Sequence, residues 1–199
     1  VSARQSLAQS TARGVWMALP HEALLASRRE STHLNVFHGG GFSEAIALRV
    51  RDAACENGVE VTMHNLVDFE AFSGGPAQSS PALLLITTIE DEQPCPASAA
   101  CLRFLRRKSH GPKTLDGLQF AVLGLGDSNL LAVAWRRVDC FGARDCNQAA
   151  EKVDSWLKHL GGTRFCRRGE ADDRTGNTEI DGWLERLWAA LRLSGGAGV

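Results

Sequence analysis

The sequence reads as an α/β domain: a parallel sheet with right-handed crossovers and helices on both faces. Three observations lead there. Short apolar runs at 34–37, 82–89 and 119–125 alternate with segments whose apolar residues recur at helical spacing. The run 82–89 is almost continuously apolar, as a strand covered on both faces must be. Glycine-rich turn chemistry stands at the junctions between runs.

Taken in order, residues 1–32 are Ser/Ala/Arg-rich and weakly periodic, an N-terminal extension or linker with a short helix at 23–29 after Pro20. The domain occupies 33–194, and 195–199 is a C-terminal tail. The first strand, 34–37, meets three glycines and then a helix from Ser43 with Ile46, Val50 and Ala54 on one face, closed by Gly58. Residues 59–63 alternate apolar with polar as a second strand, and 68–81 form a loop rich in Gly, Ser and Pro. The third strand, 82–89, precedes a helix over 97–108 with a basic end. After a turn at 111–117 comes the fourth strand, 119–125. Ala149, Ala150, Val153, Trp156, Leu157 and Leu160 mark one face of the next helix, with Asp145 near its start and Gly161-Gly162 at its end. A short fifth strand at 163–166 leads to a last amphipathic helix through Ile180, Trp183, Leu184, Leu187, Trp188 and Leu191, whose tryptophans read as core.

Composition narrows the function. The 199 residues are 44% hydrophobic and 23% charged, which excludes disorder as the dominant state. Twenty-two Lys+Arg against 23 Asp+Glu leave a formal charge of -1, so no generally basic surface and no nucleic-acid partner is expected. The clusters Arg103-Arg106-Arg107-Lys108 and Arg164-Arg167-Arg168 read as solvated ends of elements. No apolar run approaches the roughly 20 residues of a membrane span. The chain begins at Val1 without a leader pattern and reads as a trimmed piece of a longer protein. Six cysteines without a CxxC pair indicate no zinc site and suit a reducing, cytoplasmic setting, with Cys55 and Cys101 expected in the core.

A parallel sheet binds ligands outside the carboxyl ends of its strands. The loops there are 38–43, 89–98, 124–147 and 169–176. In the first, HGGGFSEA joins strand to helix, a geometry that favours an anion such as phosphate, although three glycines equally serve a sharp turn. It offers one hydroxyl, Ser43, and no GxxxxGK[ST] pattern, which argues against nucleoside triphosphate hydrolysis. In FAVLGLGDSN two glycines would admit a planar heterocycle, with Asp127, Ser128 and Asn129 bonding its edge or stabilising the turn.

From about 34 to 193 the sequence resembles the flavodoxin-like FMN domain of diflavin reductases, the group that includes NADPH-cytochrome P-450 reductase and methionine synthase reductase. The segment LDGLQFAVLGLGDSN carries most of the likeness, followed by VDSWLKHLGG and GEADDRTGNTEIDGWLERLW. The resemblance implies a flavodoxin-like three-layer sandwich on a five-stranded parallel sheet of order 2-1-3-4-5. It implies an electron carrier: FMN receives electrons from FAD, reduced in turn by NADPH, and passes them to an acceptor such as a heme protein. FAD and NADPH would belong to a reductase domain elsewhere in a longer chain, and membrane anchoring of that longer protein stays open. By the same resemblance Gly39, Gly40, Gly41, Phe42 and Ser43 would hold the phosphate. Thr87, Thr88 and Ile89 would approach the ring, and Leu125, Gly126, Asp127, Ser128, Asn129 and Asn147 would line its other side, with Asp172 and Asp173 an acidic turn nearby. No residue is assigned to covalent catalysis or to a metal.

The chain departs from that family at the ring. Where the family has TYGDGEPP this chain has TIEDEQPC, and where it has SQTGTA this chain has HGGGFS. Ile89 and Leu130 replace the stacking aromatics, and there is no tyrosine anywhere. Residues 131–145 lengthen the connection after DSN and supply Trp135 and Phe141, as a ring cover or a surface insertion. Glu90, Asp91 and Glu92 are a solvated face, a docking patch for a basic partner, or charges opposing an anionic flavin. Two other readings stand beside the carrier: a flavodoxin-shaped interaction module without FMN, and the flavodoxin portion of the tRNA-modifying enzyme that makes wybutosine.

Overall fold

The computed structural model describes residues 32–75, 80–89, 93–128 and 146–194. The elements run β1 (Thr32–His38), α1 (Phe42–Glu56), β2 (Val59–Asn65), a 3-10 turn at Leu66–Asp68, α2 (Phe69–Ser73), β3 (Ala82–Ile89), β4 (Gln93–Pro94) and α3 (Pro96–Leu105). They continue as β5 (Gln119–Gly126), α4 (Gln148–His159), β6 (Thr163–Arg164), β7 (Gly169–Asp172), a 3-10 turn at Asp173–Thr175 and α5 (Glu179–Ser194).

The strands lie side by side as β2-β1-β3-β5, with β6 and β7 sharing the next position along β5. These pairs are all parallel, so the expected order 2-1-3-4-5 holds. The sheet alone is more elaborate than five strands. β4 adds an antiparallel rung on β3, Thr88 opposite Pro94. The fifth strand, expected at 163–166, is split: Thr163 and Arg164 pair with Gln119 and Phe120, then pairing resumes with Gly169 opposite Leu123. Between them the Phe165 amide still donates to the Phe120 carbonyl at 3.0 Å and Cys166 stays buried, and the break in strand pairing is held where Trp183 Nε1 donates to the Arg167 carbonyl at 2.8 Å. Gly169 re-enters the sheet because a Cβ there would meet Leu123 and Trp183 at 2.7 Å. The expected loop at 169–176 is therefore a strand through Asp172.

Alternation along β3 explains its unbroken apolar run. Leu84 and Ile86 join the core under α2, α3 and α4, while Leu83 and Leu85 join the core under α1 and α5. Helix α1 buries Ile46, Ala47, Val50 and Ala54. Helix α5 buries Ile180, Trp183, Leu184, Leu187, Trp188 and Leu191, so its tryptophans are core as expected.

Three other expectations are corrected. The supposed loop at 68–81 contains α2, whose Phe69 and Phe72 pack edge-on to Phe37 with ring centroids 5.2 and 4.9 Å away. Aromatic burial makes the helix, which at five residues is too short to show periodicity. The helix expected over 97–108 stops at Leu105, ahead of its basic end. Cys55 is exposed on α1, whereas Cys101 is buried. The helix expected at 23–29, Asp145, the 131–145 connection and the tail at 195–199 lie outside the described residues.

Candidate functional site

The loops that leave β1, β3, β5 and β7 meet at one rim of the sheet. Strand order reverses between β1 and β3, and there the loop after β1 and the loop after β3 part in opposite directions.

After β1, Gly40 and Gly41 take φ of 86° and 57°, a left-handed region costly to residues with a Cβ. Ser43 is buried, and its hydroxyl accepts from the Gly39 amide at 3.0 Å while donating to the Gly40 carbonyl at 2.9 Å. The Gly40 amide donates to His38 Nδ1 at 3.2 Å. The loop thus consumes its one hydroxyl and two of its amides internally. The amides of Gly41, Phe42 and Ser43 remain at the positive end of the fifteen-residue α1, with no acceptor among the described residues. A Cβ on Gly39 would lie 2.9 Å from Cys95 Sγ, so the turn before α3 buttresses this loop.

After β3, the Thr87 carbonyl accepts from the Cys95 amide at 3.2 Å, and Cys95 Sγ lies 3.1 Å from Ser98 Oγ. Thr88 is buried, and its hydroxyl has no hydrogen-bond partner among the described residues. Ile89 ends the strand opposite Gln93. After β5, Leu125 is buried and Gly126 lies against the turn that leads into α4: a Cβ there would fall 2.3 Å from the Cys146 carbonyl oxygen. A Cβ on Gly124 would likewise meet Asn147 Oδ1 at 2.5 Å. The close approach these two glycines permit is therefore made by the chain's own turn and helix start at Cys146 to Ala150. Asn147 is buried, its Nδ2 donating to the Ala171 carbonyl at 3.2 Å and its Oδ1 without a partner among the described residues.

Ser128 and Asp172 join the third and fourth loops. The Ser128 amide donates to Asp172 Oδ1 at 2.9 Å and its hydroxyl to Oδ2 at 2.6 Å. Burial pushes the Asp172 carboxyl up, but the hydrogen bonds from Ser128 and from the Arg174 amide, with the Arg174 charge, outweigh it and hold the group below its ordinary value. Burial, then the Asp172 charge, pushes the nearby Cys146 thiol up. Asp173 is exposed and accepts from Asn177 Nδ2 at 3.0 Å.

The structure brings to one rim Gly39 to Ser43, Thr87, Thr88, the Ile89 backbone, Leu125, Gly126, Asp127, Ser128, Asn147 and Asp172, with Asp173 turned to solvent. Asn129, Leu130, Trp135, Phe141 and the acids Glu90, Asp91 and Glu92 lie outside the described residues. His38 and Cys95 fall in the expected loops 38–43 and 89–98 without being named among the binding residues; Cys95 stands in a Pro-Cys-Pro passage whose stiffness was the available signal. No group of three or more metal-ligating side chains occurs among the described residues.

Residues 39–185 match the family model described as flavodoxin. The chain belongs to the flavodoxin family. Flavodoxin from Pseudomonas aeruginosa, as a C101A mutant, superimposes with a TM-score of 0.58 at 20% identity, covering 80% of this chain and 99% of that one. Among curated relatives, methionine synthase reductase of Bos taurus is 26% identical over 76% of this chain and 20% of its own. The sulfite reductase [NADPH] flavoprotein alpha-component of Neisseria meningitidis (serogroup A) is 30% identical over 76% of this chain and 22% of its own. The bifunctional cytochrome P450/NADPH--P450 reductase of Bacillus cereus is 27% identical over 80% and 14%. Within the flavodoxin family the chain is thus similar to diflavin reductases, and it spans about a fifth of the length of the first two of these relatives.

Proposed function

We propose that this chain is the FMN-binding electron-transfer domain of an NADPH-dependent diflavin oxidoreductase. It receives electrons from an FAD- and NADPH-binding domain of a longer cytoplasmic chain and hands them to an acceptor protein such as a heme protein. Bound FMN would supply the redox chemistry, and the protein would bind it, orient it and shield it from water.

The observation that carries this reading is the set of open amides at Gly41, Phe42 and Ser43, beside the reversal of strand order where folds of this type hold their flavin phosphate. The described residues fit that group by backbone rather than by hydroxyls. The Thr88 hydroxyl, buried and without a partner among the described residues, adds a donor at the rim, and the Asp172–Ser128 tether fixes the turn on the far side. No helix among the described residues is long and apolar enough to cross a membrane.

Loss of two stacking aromatics, each contributing about 0.5–1.5 kcal/mol beyond burial, sets the expected affinity roughly tenfold or more below that of a domain retaining them. Titrating FMN into the chain should quench flavin fluorescence saturably and raise the melting temperature. Absence of both effects at excess FMN overturns the assignment. It would favour instead the interaction module without cofactor, a reading supported by Ser43 being spent on its own loop. The wybutosine-enzyme reading is separated by what the full-length chain carries: an iron-sulfur CxxxCxxC motif rather than FAD and NADPH modules.

A further inference from the structure

A polar cleft opens at the edge of the sheet, where the fifth strand is split between β6 and β7. Asp154 of α4, Arg164 of β6, Arg167 and Arg168 of the link between β6 and β7, Gly169 and Glu170 of β7, and Arg186 of α5 line it. Its volume, about 630 Å³, lies within the range of small-molecule sites.

The charges around it do not cancel. Asp154 is buried and accepts both prongs of the Arg164 guanidinium, Nε to Oδ1 at 2.8 Å and a terminal nitrogen to Oδ2. Arg168 is taken by Glu170, through Nε at 3.0 Å and a terminal nitrogen at 2.6 Å, and reaches Asp154 only at 3.9 Å. Both carboxylates are thereby used. Arg167 and Arg186 remain, exposed and without a carboxylate partner among the described residues. Four guanidiniums against two carboxylates make a local excess of positive charge in a chain whose formal charge is -1.

The walls are fixed before any ligand arrives. The Arg167 carbonyl is held by the Trp183 indole, and Gly169 is wedged between Leu123 and that same ring. The buried Asp154 pair orients the Arg164 fork from beneath. Guanidinium forks match phosphate and carboxylate oxygens in bidentate geometry, and pre-set walls reduce the cost of binding. We infer that this cleft binds a small, multiply charged phosphate ligand, with Arg167 and Arg186 as its principal donors. The inference is independent of FMN, since none of these residues belongs to the glycine loop or to the turns that follow β3 and β5.

The test is pyrophosphate titrated calorimetrically into the full chain at constant ionic strength, with the wild type compared with Arg167→Gln/Arg186→Gln. Both side chains are exposed and have no carboxylate partner among the described residues, so the double variant should melt like the wild type while binding pyrophosphate roughly tenfold or more weakly. Equal binding by both proteins overturns the inference, because it places the anion elsewhere, including at the amides of Gly41 to Ser43. If the variant misfolds, wild-type amide spectra decide: pyrophosphate should shift the Gly169 amide and Trp183 indole signals, and unmoved signals sink the proposal. A single-stranded oligonucleotide arm separates sources. Affinity that climbs with oligonucleotide length beyond that for pyrophosphate would replace the small ligand with a nucleic-acid surface.

Discussion

At Asp172 the balance between burial and hydrogen bonding favours the ionised form, which makes acid stability a readout of the Ser128 tether. Because its folded pKa lies below the ordinary value, its contribution is fully present above the unfolded pKa, near 4, and is lost as pH falls toward the lower folded value. Asp172→Asn should cost about 1.5–3 kcal/mol at neutral pH, typical of hydrogen bonds to a charged group, and should flatten the fall in stability below pH ~4. Urea melts of both proteins across that window check it; parallel acid limbs would show that the tether contributes nothing. The thiols separate in the same way. Burial pushes Cys101 up to about 12, while Cys55 is exposed on α1. A thiol reagent at neutral pH should modify Cys55 and leave Cys101 untouched until the protein unfolds, as peptide mapping would show.

Two glycines in regular elements illustrate how an element's packing decides what a substitution does. Gly126 ends β5 with its hydrogen facing the Cys146 carbonyl, where a Cβ would fall at 2.3 Å, a backbone clash that no rotamer can relieve. Gly182 sits inside α5 with nothing within 4 Å of its Cβ position. Gly126→Ala should therefore destabilise by about 1–3 kcal/mol, as overpacking does, while Gly182→Ala should stabilise by about 0.5–1 kcal/mol through helix propensity. Opposite signs in thermal melts are the expected outcome. β3 was legible to the residue because two-sided burial writes one unbroken apolar run, and α1 and α5 because one-sided burial writes a 3.6 period. α2 and β7 were not: five residues cannot display a helical period, and Gly-Glu-Ala-Asp holds its place in the sheet through backbone pairing and the fit of Gly169 against Trp183. The rim glycines were legible as special positions. That Ser43 turns inward, and that Cys95 leans on Gly39, depends on distant segments meeting, which no local pattern records.

For the molecule as a whole, the sheet order sets a gradient of protection. β3 is hydrogen-bonded to β1 on one side and to β5 on the other, and Leu83 to Ile86 are fully buried between two helical layers. β5 is similar, with Ala121 to Leu123 at 0% exposure. Among the described residues β2 pairs with β1 alone, and its residues are at most half-buried. The split edge is weaker still, since β6 contributes two exposed residues and strand pairing breaks between it and β7. Opening an edge strand breaks one ladder and exposes little apolar surface, whereas opening β3 breaks two ladders and uncovers both cores. Amides of Leu83–Ile86 and Ala121–Leu123 should exchange only through global unfolding, those of β2 through smaller openings, and those of β6 fastest. The arginine cleft lies on that weak edge, so pyrophosphate bound there should slow exchange at β6 and β7 and leave β2 unchanged. A ligand effect spread evenly over both edges would mean a global shift in stability and would remove the edge from the explanation.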